Sequence, residues 1–311
     1  MSAAALDTRP TAAGAPAPAL RPRRRHQSRD QRFWTVVRRA SIVFFLVIAV
    51  FPTVIMIGLS FRPGAELLKT PWQILPSLSE FTTDTYSRVL RSPSDGGFGF
   101  AGYIGNSLFV SGSTVVASLA VGVFAAYAAT RLRFRGSGTV NVGIILVYLF
   151  PPLVFAVPLF VTFTKLGMRP SFTALILIYL SSTLPLVIYM LRNYFRSIPV
   201  ELEEAARIDG ASRWRIIRSI ILPLARPAIV TVGFYAFMSA WDEFMFALLF
   251  LVEDRSSWTV SLGINQLESN LGTPTTVLMA GCVIITIPLV ILFSVAQRSL
   301  AEGLTSGAVK D

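Results

Sequence analysis

The chain has 311 residues, 53% of them hydrophobic and only 14% charged, with a formal net charge of +11. A soluble domain carries about 25% charged residues, so this composition describes a membrane protein and leaves little material for a soluble domain. The positive excess does not point to nucleic acid, because no basic stripe is interleaved with stacking aromatics; in a membrane chain it reports orientation and contact with anionic headgroups.

Residues 1–37 form a basic tail, rich in Ala, Pro and Arg at its start and without an apolar period. Such a composition cannot bury enough surface to offset ordering entropy, so the tail is expected to be disordered. It also lacks the continuous apolar core of a cleavable signal peptide. Its Arg21–Arg25 cluster suits a positive anchor at a lipid surface. The single histidine, His26, lies in this tail, and the single cysteine, Cys282, sits among apolar residues. One of each excludes an internal disulfide and any Cys/His metal cluster, so no metal site is expected.

Six apolar runs follow, near 38–60, 104–130, 140–164, 172–192, 227–251 and 276–297. Each approaches the roughly 20 residues that a hydrocarbon core requires. The fold class expected is therefore all-α: six transmembrane helices over 38–299, then a short C-terminal tail, 300–311. Pro52, Pro151, Pro152, Pro158, Pro185 and Pro288 interrupt these runs, which suits kinked members of a packed bundle. In the second run Gly112, Ser113, Ala117, Ser118, Gly122, Ala125 and Ala126 recur at the spacing that lets helices approach closely in lipid.

Alternate loops differ sharply in Lys and Arg. One set, including both termini and 192–226, holds 21; the other, comprising 61–103, 165–171 and 251–276, holds 7. By the positive-inside rule both termini and 192–226 are cytoplasmic. On the outer side, 61–103 reads as an irregular cap and 252–275 as a solvated surface.

One charged, helix-forming stretch, Glu201–Pro223 (ELEEAARIDGASRWRIIRSIILP), is lodged between apolar runs. Pro199 fits a first helical turn, and Glu201, Glu203 and Glu204 fall near the positive end of the dipole. Gly210 supplies a left-handed stop. Leu202, Ala205 and Ala206 share a smooth face, with Asp209 at its edge. Ser212 can cap a second helix with Trp214, Ile217 and Ile221 on its apolar side, Arg213, Arg215 and Arg218 reaching headgroups or carboxylates, and Pro223 as its end. An interfacial helix that only joins two spans would give a similar period. A helix lying on lipid alone would, however, carry larger residues than Ala205 and Ala206, and the small face suits insertion into a protein groove.

Asp242 and Glu243 are carboxylates inside the fifth run, about 22 Å along it from Pro227. Charges at such depth are costly and mark functional sites by default. Two roles are open: lining a solute path, with Trp241 stacking on a pyranose, or bonding to backbone at a helix break. The same acids define a rival reading, a proton-coupled secondary transporter.

The spacing Glu204-Ala205-Ala206, Gly210, Ile220, Leu222-Pro223 resembles the EAA loop, here within 197–226, of permease subunits of binding-protein-dependent ABC importers. The surrounding chain is similar to the maltose-type, sugar-importing branch: Asn106-Ser107, Ala125–Ala128 with Arg131–Gly136, Pro151-Pro152, Ser197-Ile198-Pro199, Trp241–Phe244 and Gly303–Lys310. The resemblance covers roughly 40–310, with departures at Asp242, where the family usually has Asn, and Asp311, where it has Gly.

This resemblance implies that Glu203, Glu204, Ala205, Ala206, Asp209 and Gly210 form a helix docking in a cleft of a separate ATPase. Thr305, Ser306, Gly307 and Lys310 would reach between two ATPase subunits. Trp241, Asp242, Glu243 and Asn106 would belong to the substrate path. Loop 252–275 would probe the sugar site of an external binding protein, and a sister permease would complete a heterodimer. The chain has no G-x-x-x-x-G-K-[ST] run. It is therefore expected to hold no cofactor and to be no enzyme, with ATP and Mg on the partner ATPase.

Overall fold

The computed structural model describes residues 29–132, 135–270 and 272–305. The Arg21–Arg25 cluster, Ser306, Gly307 and Lys310 lie outside them. Two compact units divide at Phe51/Pro52, inside the first helix, α1 (Arg29–Ser60). In the first unit the apolar side chains of α1, among them Phe44, Phe45, Leu46 and Val47, are exposed.

The second unit is built from helices; among the described residues there is no strand. After α1 come α2 (Gly64–Lys69), α3 (Asp84–Leu90), α4 (Phe100–Arg131), α5 (Ser137–Leu149), α6 (Ala156–Lys165) and α7 (Phe172–Ser197). There follow α8 (Glu201–Ile208), α9 (Arg213–Ile216), α10 (Leu222–Leu224), α11 (Arg226–Trp241), α12 (Met245–Leu251), α13 (Val260–Ser269) and α14 (Thr275–Thr305). Among the described residues four helices are long and apolar enough to cross a membrane, Phe33–Ser60, α4, α7 and Thr275–Ser299, and the number reaches six if each of two bent pairs is one span.

The bends mark where the apolar runs are not continuous helices. The run at 140–164 breaks between α5 and α6 by 78°. Pro151 and Pro152 cause this: neither has an N–H for the ladder, and each pushes the residue before it out of the helical region. The run at 227–251 stops at Trp241 and restarts at Met245. Pro223, expected to end a helix, instead lies within one. A π turn over Ile217–Ile221 shifts the hydrogen-bond register, so the missing donor of Pro223 falls at the first turn of α10. The 80° turn comes later, between Leu224 and Arg226.

The core is the packing of α4, α7 and α11. Val123, Ala126, Tyr127, Val187, Leu191, Phe195, Val232 and Ala236 are buried together with Ile216, Ile217 and Ile221. Gly122 lets α4 and α7 close up, since a Cβ there would stand 2.6 Å from Val187 Cγ1. One turn away, the Ser118 and Thr183 hydroxyls share a hydrogen bond of 2.9 Å.

The segments 61–103 and 252–275 are both more ordered than their sequences suggest. In 61–103, Arg62 is fully buried. It donates to Thr70 Oγ1 at 2.6 Å and Thr70 O at 3.1 Å, and also to Gln73 O, tying α2 to the following turn. The 252–275 loop contains α13, whose Val260, Leu262, Gly263 and Leu267 are buried; only part of it is the solvated surface expected.

Candidate functional site: an exposed helix face and a hydroxyl-lined cavity

The charged stretch folds as α8, a turn, and the α9–α10 helix. The start is two residues later than Pro199 implies: Val200 is the N-cap residue, and its carbonyl receives the Glu203 and Glu204 N–H groups at 2.9 and 3.1 Å. Gly210 closes the helix with φ +79°. The Ala211 N–H reaches back to Ala206 O at 2.9 Å and the Gly210 N–H to Arg207 O at 3.0 Å, a left-handed C-terminal cap. Ser212 caps α9 by accepting from the Arg215 N–H at 3.4 Å.

The faces of α8 sort its residues. Glu201, Leu202, Glu204, Ala205, Ile208 and Asp209 are exposed, Ala206 is half-buried against the chain's own core, and Glu203 is buried. Glu203, expected among the docking residues, faces inward. Its Oε1 lies 2.6 Å from Arg131 Nε, and its Oε2 accepts from the Tyr127 hydroxyl at 3.0 Å. That carboxylate is bonded within the chain, so the exposed face of α8 lacks Glu203 and half of Ala206. It gains Ile208, which is 87% exposed. The signal lay in the sequence: Ile208 falls three residues after Ala205, on the same face.

Beyond α8, Arg213, Trp214, Arg215 and Arg218 are exposed, and Trp214 stacks on Phe124 of α4 with ring centroids 5.9 Å apart. Thr305 is the last residue of α14.

The two acids part company at the break between α11 and α12. Glu243 caps α12: its Oε1 accepts from the Phe246 N–H at 2.8 Å and its Oε2 from the Ala247 N–H at 3.2 Å and the Tyr179 hydroxyl at 2.5 Å. This break is the backbone role that the sequence left open, and it stops the fifth run because the carboxylate satisfies the first donors of the new helix. Glu243 also lines a half-open cavity of about 880 Å³, together with Tyr148, Tyr179, Ser182, Tyr235 and Ser239. The hydroxyls were missed in the sequence because they lie on three separate apolar runs; they converge only when α5, α7 and α11 pack. Asp242 is exposed and lines a different, smaller cavity of about 290 Å³, beside Asn265 and Glu268.

Trp241 does not present a face for stacking. It is 2% exposed, and its ring stacks on Phe237 at 5.4 Å, between Val260, Val277 and Ala280 in the core. Asn106 lies inside α4, and its amide donates to Ser256 O at 2.8 Å and Trp258 O at 2.9 Å. With the Val260 N–H on Ser107 Oγ at 2.9 Å, it pins the 252–260 loop to α4. Trp241 is thus packed in the core, and Asn106 is hydrogen-bonded to backbone. Among the described residues no three His, Cys, Asp or Glu side chains converge as a metal would need.

Residues 118–306 match the family model of the binding-protein-dependent transport system inner membrane component. The chain is 36% identical to the inner membrane ABC transporter permease protein YcjP of Escherichia coli, over 86% of this chain and 94% of that protein. It is also 36% identical to the trehalose/maltose transport system permease protein MalG of Thermococcus litoralis, with the same shares covered. Among solved structures, a chain of a bacterial ABC transporter involved in import of the acidic polysaccharide alginate superposes with a TM-score of 0.75 at 25% identity, over 88% of this chain and 98% of that one. The chain belongs to the family of binding-protein-dependent transport system inner membrane components.

Proposed function

We propose that the chain is a permease subunit of an ATP-driven, binding-protein-dependent carbohydrate importer. It would form half of the translocation path beside a sister permease, as six spans with both termini in the cytoplasm, and bind no cofactor itself. Two separate ATPase subunits would hold ATP and Mg and push on α8; an extracytoplasmic sugar-binding protein would deliver the solute. The observation that carries the reading is α8: a short helix whose exposed face joins Ala205 and Ile208 to Glu201, Glu204 and Asp209, on a chain of this family. The relatives named for trehalose and maltose support a sugar as the solute.

The 880 Å³ cavity is proposed as this subunit's half of the path. Its hydroxyls suit a polyol, which exchanges hydrogen bonds with water for hydrogen bonds with Ser and Tyr. The proton-coupled alternative is not favoured, since Glu243 is held by two backbone N–H groups and a tyrosine.

The test is uptake into vesicles holding this chain, its sister permease and the ATPase, with the cognate binding protein outside. The sugar is whichever stabilises that binding protein against melting, trehalose and maltose tried first. Uptake that needs ATP and survives collapse of the proton gradient is the expected result. Uptake by this chain alone, or driven by the proton gradient without ATP, overturns the function. On the docking face, Ala205→Trp is expected to abolish co-purification of the ATPase while leaving the chain in the membrane.

A further inference from the structure

Eight residues are too few for α8 to hold a helix by itself, so its position is set by what grips its inner face. That grip is polar and specific. Tyr127 and Arg131 are neighbours at i and i+4 in the last turns of α4, and both reach Glu203, 3.0 and 2.6 Å away. Arg131 also turns Nη2 onto two carbonyls at the end of α7, Phe195 O at 2.9 Å and Ile198 O at 2.7 Å. Positive charge at a helix C-terminus is favourable. One guanidinium thus joins the ends of α4 and α7 to the start of α8. The pair is secluded, with the Arg131 and Glu203 side chains 9% and 2% exposed.

Only arginine can do this. Its planar fork sends parallel donors to a carboxylate and to carbonyls at once, whereas a lysine is a single point of charge. Above the junction α4 and α7 are already closed on each other at Gly122 against Val187 and at Ser118 with Thr183. A displacement of α8 therefore cannot be absorbed by the junction without breaking its bonds.

We propose that Tyr127, Arg131 and Glu203 form the rigid link through which α8 moves α4 and α7. Glu203 is a positioning residue turned away from the docking face, not a contact of the partner. The link rests on the importer function proposed above. It assigns the docking load to the exposed residues of α8 and the transmission to the buried ones, a division that the EAA spacing does not contain.

The link is tested in the complete transporter, with both permeases and the ATPase in proteoliposomes, driven by the binding protein and the sugar that stabilises it. Two quantities are read: ATPase co-purified per permease, and ATP hydrolysed per sugar imported. Glu203→Gln and Arg131→Lys are expected to keep the ATPase bound at wild-type yield and to raise the ATP spent per sugar at least about threefold, the scale of a lost coupling contact. Tyr127→Phe, which removes one bond and no charge, is expected to shift the ratio in the same direction by less.

An unchanged ratio with the ATPase bound overturns the link. Loss of the ATPase from Glu203→Gln overturns it as well, because Glu203 would then be a docking contact. Should Glu203→Gln fail to reach the membrane, Arg131→Lys and Tyr127→Phe decide on the same ratio. The wild-type complex keeps the two readings apart: if it imports no sugar with ATP, the importer function itself falls, whereas ATP-driven import with uncoupling-resistant variants removes the link alone.

Discussion

Gly122→Ala probes the closest approach in the core. A Cβ at 122 would stand 2.6 Å from Val187 Cγ1 and 3.8 Å from Leu191 Cδ1. Carbon atoms pack at about 3.5–4.0 Å, so α4 and α7 would have to separate by about 1 Å or Val187 would have to turn. Turning is resisted, because valine in a helix keeps one strongly preferred χ1 and Val187 is fully buried. Overpacking of this kind costs about 1–3 kcal/mol. At about 2–4 °C per kcal/mol for a domain of this size, the melting midpoint of the purified chain in detergent should fall by about 2–12 °C. Two controls make the reasoning specific. Gly112→Ala lies in the same helix with nothing near its Cβ and should melt at or above wild type. Val187→Ala should recover much of the loss when combined with Gly122→Ala, since the two sites share one contact. A Gly122→Ala chain that melts like wild type, or a double variant with additive losses, would refute the close approach.

Trp241→Ala removes a fully packed ring and should cost about 3–5 kcal/mol; melting midpoint and transport are then expected to fall together. Transport lost at unchanged stability would place Trp241 in the solute path. Asn106→Ala deletes two hydrogen bonds to the 252–260 loop, worth about 0.5–1.5 kcal/mol each. Amide exchange at Ser256–Val260 should accelerate while the middle of α4 stays protected; equal exchange in both proteins counts against the clamp. Asp254 is held below its ordinary pKa by hydrogen bonds from the Ser256 and Ser257 hydroxyls, then from the Ser256 N–H. The folded value is depressed, so the order it confers on this turn is present above the unfolded pKa and lost as pH falls through the folded one. Exchange at Ser256 is expected to stay slow through the usual carboxylate range and to quicken only below it, and Asp254→Asn should abolish that dependence.

What was legible in the sequence is what depends on neighbours along the chain. The all-helical class follows from apolar run length, and the end of α8 and the start of α9 follow from Gly210 and Ser212, whose conformational preferences act within a turn. The break after Trp241 was not legible as a break, because Asp242 and Glu243 read equally well as pathway acids until the Phe246 and Ala247 N–H groups turned toward Glu243. Nor could Glu203 be separated from Glu204. Adjacent glutamates in one first turn are alike in propensity and dipole, and it is Tyr127 and Arg131, 76 and 72 residues earlier in the chain, that distinguish them. The hydroxyl-lined cavity failed for the same reason: Tyr148, Ser182, Tyr235 and Ser239 carry no pattern apart from the packing that gathers them. Pairings between distant segments must beat the entropy of closing the loops between them, and nothing in local spacing records which of them do.

The same distant pairings give α4 a role that none of its own residues suggests. Its 32 residues read as a small-residue helix made for close packing, and in the middle it is that. Its ends differ. Near the start, Asn106 and Ser107 hold the backbone of the 252–260 loop; at the finish, Tyr127 and Arg131 hold Glu203. Asn106 and Arg131 are about 37 Å apart along a helix of 1.5 Å rise per residue. Lying between two sites does not make an element a conductor. A helix bonded at each end to the backbone or the buried charge of a different element is a stronger case, because neither partner can move far without moving it or breaking those bonds. Under the proposed function, one end of that rod faces the ATPase and the other carries the loop that meets the binding protein. Separating α4 from α7 at Gly122 would then be felt at both ends. Of the changes considered, it is the one remote from both partners that should impair ATPase coupling and response to the binding protein together.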